Sequence, residues 1–300
     1  MDVSHILDSL NNEQRNAVAS PTKNLLVLAG AGSGKTRVLV HRIAWLLQAE
    51  QVSPFAILSV TFTNKAAREM RGRIESLLGH TAGGMWVGTF HGLAHRLLRS
   101  HWREAGLVED FHILDSDDQL RLIKRINRSL SIDEERWPAK QCQWYINGQK
   151  DEGLRASNID HENDDYIKTM LDIYRAYEDA CQRGGMIDFG EILLRAHELW
   201  LRSPQILDHY RGRFKHILVD EFQDTNSIQY AWLRVLAGDE NNLMVVGDDD
   251  QSIYGWRGAK IENIQQFNTD FPGSEIVRLE RNYRSTSNIL KAANSLISNN

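Results

Sequence analysis

A chain of 300 residues, 42% hydrophobic and 25% charged, holds enough apolar material for one large domain or two ordinary ones and is not a low-complexity or disordered sequence. Its 35 basic and 40 acidic side chains leave a net charge of −5, so nucleic-acid contact would have to come from a local groove rather than from overall charge. Two distant cysteines, Cys142 and Cys181, without a CxxC partner argue against a disulfide framework. With no apolar run near the ~18 residues of a membrane span and no signal-peptide pattern in "MDVSHILDSL", the expected address is a reducing cytoplasm.

In chain order, short apolar runs read as buried strands: "NLLVLAG" (24–30), "AILSVTF" (56–62), "MWVGTF" (85–90), "HILVDE" (216–221), "LMVVGD" (243–248) and "EIVRLE" (275–280). Most are followed by helix-like stretches; "KTRVLVHRIAWLLQ" spaces Val38, Ile43, Trp45 and Leu46 with near-helical periodicity. Strands alternating with helices predict an α/β fold with a mostly parallel sheet. Residues 91–214 read as amphipathic helices without clear strands, a helical subdomain inserted between the third and fourth strands. "DSDDQ" (115–119) suits a helix N-terminus, where acids match the dipole. His91 and His95 lie four apart but lack the glutamate of a zinc-protease helix.

"AGAGSGKT", Ala29 to Thr36, follows a strand and opens a helix, the context of a phosphate-binding P-loop. Its residues Ala29, Gly30, Ala31, Gly32, Ser33 and Gly34 would turn backbone N–H groups toward phosphate oxygens at the positive end of a helix. Lys35 would reach the β- and γ-phosphates, and Thr36 would ligate Mg²⁺. Ala29 stands where the strict pattern has glycine, and Gly30, Gly32 and Gly34 supply the freedom instead. "ILVDEFQD" ends the fourth strand in Asp220 and Glu221, at the carboxyl edge where α/β sheets bind ligands. Asp220 would hold Mg²⁺, usually through water, and Glu221 would accept a proton from the attacking water. The two motifs together predict nucleotide hydrolysis. "NKAA" (64–67) lacks the aspartate of the guanine-reading Asn-Lys-x-Asp, which favours ATP.

Seven stretches in order, "LNNEQ" (10–14), "AGAGSGKT" (29–36), "VTFTNKAAREM" (60–70), "VGTFHGLAHRLLR" (87–99), "VDEFQDT" (219–225), "VGDDDQSIYGWRGA" (246–259) and "LERNYRSTSNI" (279–289), resemble the motifs of superfamily 1A DNA helicases over essentially the whole chain. The resemblance implies a RecA-like P-loop motor domain at 1–90 plus 215–280, the helical insertion at 91–214, and the opening of a second motor domain at 281–300. It implies ATP hydrolysis with Mg²⁺, coupled to 3′→5′ movement on single-stranded DNA and unwinding at single-strand/duplex junctions. By position, Gln14 would read the adenine edge with Arg37 nearby, and Tyr283 would stack on the base. Gln251 would sense the γ-phosphate and Arg284 would act as an arginine finger. Phe62, Asn64, His91, Tyr254, Trp256 and Arg257 would line a single-strand channel.

One short segment, 247–259, would then touch both ligands, which makes it a candidate coupling element. The resemblance also implies DNA repair proteins as partners, a monomer or weak dimer, and a nucleoid-associated protein of the bacterial cytoplasm. Since such helicases carry further motifs in a second motor domain, half the wall of the ATP site would lie beyond Asn300. Two rivals follow: a non-catalytic module that binds ATP and single-stranded DNA, and a helicase–nuclease subunit whose nuclease lies elsewhere.

Overall fold

The computed structural model describes residues 3–160, 164–255 and 258–297. All six expected strands form and join one parallel sheet. Numbering strands along the chain, β1 is Asn24–Ala29, β2 Ile57–Thr61, β3 Trp86–Thr89, β4 His112–Ile113, β5 Met186–Ile187, β6 His216–Val219, β7 Asn242–Gly247 and β8 Glu275–Leu279. The large sheet runs β3-β2-β6-β7-β1-β8, with every neighbouring pair parallel. The strands read as continuous apolar runs because helices cover both faces of such a sheet. β2 is buried at all five positions, and its polar members are satisfied: Ser59 donates to Met70 Sδ (3.1 Å) and Thr61 to the Thr63 carbonyl (3.1 Å).

Strand order decides which distant motifs meet. β1 lies between β7 and β8, and β6 is the other neighbour of β7. The carboxyl ends of β1, β6, β7 and β8 therefore share one edge, and the segments after Ala29, Val219, Gly247 and Leu279 converge there.

The chain divides into two compact units. One comprises residues up to Phe90, Asp208–Thr225 and Leu236 onward; the other comprises His91–Leu207 and Asn226–Val235. The second unit is built on helices Ser116–Ser129, Ala139–Asp151 and Asp165–Gly184, packed around Ile123, Cys142, Ile146, Leu171, Tyr174 and Tyr177, with helix Phe189–Arg202 against Ala139–Asp151. Contrary to the strand-free reading of this stretch, β4 and β5 form a parallel two-residue pair.

A buried ionic cluster fixes this unit. Lys150 Nζ lies 2.7 Å from Asp188 and 2.9 Å from Glu191; Arg155 reaches Glu191 (2.7 Å), Glu198 (2.8 Å) and Glu178 (3.0 Å). Burial opposes the charge on Lys150, and the two carboxylates overcome it and raise its pKa. Asp188 also accepts from Tyr177 (2.7 Å) and caps the helix that starts at Phe189, accepting from the Glu191 N–H (2.7 Å). No helix among the described residues is long and apolar enough to cross a membrane.

Candidate nucleotide and nucleic-acid sites

The loop between β1 and helix Lys35–Gln48 turns at Gly32 (φ 70°) and Gly34 (φ 94°), values that L side chains avoid. Ser33 closes the turn, donating from its N–H (3.1 Å) and hydroxyl (2.7 Å) to the Gly30 carbonyl. Gly34 gives the helix no side-chain cap, so its first N–H groups are left for an outside acceptor. Lys35 is buried, and its Nζ lies 3.3 Å from Glu221 Oε2 and 3.6 Å from Asp248 Oδ2. Neither approach is aligned as a hydrogen bond, and among the described residues the ammonium has none. A buried cation without a hydrogen bond, beside an uncapped helix N-terminus, fits a polyphosphate.

Thr36 Oγ1 donates to Asp220 Oδ2 (3.1 Å), bringing together the two residues assigned to Mg²⁺. A hydroxyl and a carboxylate are the hard oxygen donors that this ion takes along with phosphates and water. No group of three or more His, Cys, Asp or Glu residues among those described could hold a metal ion. Burial and the neighbouring charge of Glu221 push Asp220 up to about 6, against the pull of Thr36, the Glu221 N–H and Lys35. Burial and Glu221 likewise push Asp224 up to about 6. Burial also raises Asp248, with Lys35 and Gln251 opposing it.

Glu221 is one of three non-glycine residues at positive φ among those described (φ 51°), a conformation that costs on the order of 1–3 kcal/mol. It is held because the next residue, Phe222, is buried edge-on against Phe267, with ring centroids 6.0 Å apart. Gln251 donates from its side chain to Asp248 Oδ2 and from its N–H to the Asp248 carbonyl (3.2 Å), so the proposed γ-phosphate sensor is tied to a neighbour of Lys35.

Two of the base-binding candidates, Gln14 and Tyr283, bond to the loop itself. Asn11 and Gln14 form a reciprocal cap of helix Asn12–Ala19, and Gln14 Nε2 donates to the Ser33 carbonyl (2.8 Å). Arg37 donates to the Ser9 carbonyl (2.9 Å). Tyr283, half exposed, donates its N–H to the Gly32 carbonyl (2.9 Å), and its hydroxyl accepts from Asn11 (2.9 Å). Asn282 was not singled out from the sequence. It donates to the Ala31 carbonyl and accepts the N–H groups of Arg284 and Ser285 (2.8 Å each), pinning the segment that carries Arg284 onto the phosphate loop. A Cβ at Gly32 would lie 2.7 Å from Arg284 Cβ, so that glycine permits the close approach.

Of the proposed DNA contacts, Phe62 and Tyr254 pack as a tilted ring pair with centroids 5.2 Å apart, and Asn64 opens helix Asn64–Leu78 two residues on. His91 belongs to the second unit, and burial lowers its pKa. Its ring centroid lies 6.0 Å from Phe189, which is 57% exposed although it begins a helix anchored by buried Asp188. Phe189 gave no motif signal; an exposed phenyl group beside His91 is visible only in the structure. Trp256 and Arg257 lie outside the described residues.

Comparison with known proteins adds the family. The UvrD/REP helicase N-terminal domain family matches residues 10–272. The chain is 66% identical to DNA helicase II of Escherichia coli (strain K12) over 300 residues, all of this chain and 42% of that protein. It is 59% identical to DNA helicase II of Haemophilus influenzae over 304 residues (100% of this chain, 42% of the relative). It is 43% identical to the ATP-dependent DNA helicase PcrA of Staphylococcus aureus (strain NCTC 8325) over 296 residues (98% and 40%). The chain thus spans about two fifths of the length of the curated relatives it matches.

Proposed function

Since the chain belongs to the UvrD/REP helicase N-terminal domain family, we propose that it is the ATP-hydrolysing motor part of a 3′→5′ DNA helicase of DNA repair. The observation that carries this reading is the buried Lys35 ammonium, without a hydrogen bond among the described residues, at the junction of β1, β6 and β7 beside the Thr36–Asp220 pair. Lys35 and the helix N-terminus would hold the phosphates, and Thr36 and Asp220 would hold Mg²⁺. The ion, when bound, offsets charge developing on the phosphate oxygens. Glu221 would take the proton of the attacking water as its oxygen bonds to the γ-phosphorus and ADP leaves. Gln14, Arg37 and Tyr283 would seat the adenine, and Arg284 would approach the γ-phosphate.

Single-stranded DNA would stack on Phe62, Tyr254 and Trp256, with Asn64, Arg257, His91 and Phe189 as further contacts. Junctions of single strand and duplex are the proposed substrate, repair proteins the proposed partners, and the bacterial nucleoid the proposed place of action, with the protein a monomer or weak dimer. Fluorescent ATP binding tests the site directly. Mg²⁺-dependent binding that Lys35→Ala abolishes is expected, whereas equal affinity in the variant would remove the P-loop assignment.

A further inference from the structure

We propose that Gln223 is the positioning residue of the general base, holding one oxygen of Glu221 so that the other faces water, and tying that placement to the end of β7. This rests on the hydrolytic reading above. Gln223 is buried, and both ends of its amide are used. Nε2 donates to Glu221 Oε2 (2.8 Å), and Oε1 accepts from the Asp248 N–H (3.0 Å). Lys35 also approaches Oε2 (3.3 Å), while Glu221 Oε1 takes no hydrogen bond from a described residue.

Without the amide, the Lys35 ammonium would be the nearest polar partner of this carboxylate and would draw it away from the water. Glycine at the end of β7 leaves room for the contact, since a Cβ at Gly247 would lie 3.1 Å from Gln223 Oε1. Asp248, whose N–H grips Gln223, is the residue to which Gln251 is tied. Displacement of that strand end by nucleotide would therefore reach the base through Gln223. A glutamine suits the position because its amide offers a donor and an acceptor together. A glutamate there would still accept from Asp248, but it could donate to Glu221 only when protonated.

The test compares Gln223→Met and Gln223→Glu in the full-length protein that carries this chain. ATPase turnover is measured from pH 6 to 8, alongside affinity for Mg²⁺ with a non-hydrolysable ATP analogue and the melting temperature. Gln223→Met is expected to lower kcat by ~10- to 100-fold, the scale of an ångström-sized misplacement, with analogue affinity within about threefold of the unaltered protein by the same positioning logic. The deficit of Gln223→Glu relative to the unaltered protein should shrink as pH falls, and that of Gln223→Met should not. Unaltered kcat in Gln223→Met overturns the inference. So does a joint fall of turnover, affinity and melting temperature with a pH-independent deficit in Gln223→Glu, since that marks a purely structural role. Absence of Lys35-dependent hydrolysis in the unaltered protein overturns the hydrolytic reading itself, and this inference with it.

Discussion

Asp220 keeps a carboxyl group where burial and a neighbouring charge disfavour its ionised form. Its folded pKa of about 6 lies above the ~3.9 of an unfolded aspartate. The folded state therefore holds the proton to higher pH than the unfolded chain. Stability is lost as pH rises from about 4 to about 6, and the full cost stands above 6. Asp220→Asn removes that cost. In nucleotide-free protein it should melt higher at pH 8, by on the order of 1–3 kcal/mol, with the gap closing near pH 4, while Mg²⁺-dependent hydrolysis is lost. Equal melting at pH 8 would show that the carboxylate bears no such cost. Lys35, Thr36, Asp220 and Glu221 were legible in the sequence because each sits in a contiguous motif with fixed spacing. Gln223, Asp248 and Asn282 were not, because their roles arise from neighbours brought by strand order. Three successive acids at 248–250 look alike as letters, and only the fold sets the carboxylate of Asp248 within 3.6 Å of Lys35.

At the scale of elements, the six strands were legible because a parallel sheet buried on both faces leaves continuous apolar runs. The β4–β5 pair was not, since two residues carry no periodicity. The segment after β7 links the two candidate sites: Gln251 is tied to Asp248 near Lys35, and Tyr254 packs at a tilt against Phe62. The helix that follows is latched to the acid-bearing segment, where Asn263 donates to the carbonyl (3.0 Å) and hydroxyl (3.1 Å) of Thr225. Gln251→Ala should keep nucleotide and single-strand binding but lower DNA-stimulated turnover by roughly tenfold or more, the scale of a lost transition-state contact. Full stimulation in that variant would rule out this segment as the coupling element. In the second unit, the helix that presents Phe189 is anchored through Asp188 in the buried ionic cluster. Phe189→Ala should weaken single-strand binding by ~1–3 kcal/mol, the loss of one stacked base. Fluorescence anisotropy with labelled oligonucleotides would check this, and unchanged affinity would place Phe189 outside the interface.

For the molecule as a whole, an acidic balance and strand binding are compatible because the proposed grip is stacking on aromatic side chains as well as charge. The central claim is that one chain of 300 residues carries both an ATP site and a strand site, and that the second drives the first. The measurement that tests it most directly is steady-state ATP hydrolysis by a protein that carries these residues with a second motor domain, with and without single-stranded DNA, beside Lys35→Ala. Turnover that rises with DNA and disappears in Lys35→Ala is the expected result. Turnover no higher than that of the variant, with ATP and DNA still bound, would contradict it and leave these residues as a binding module.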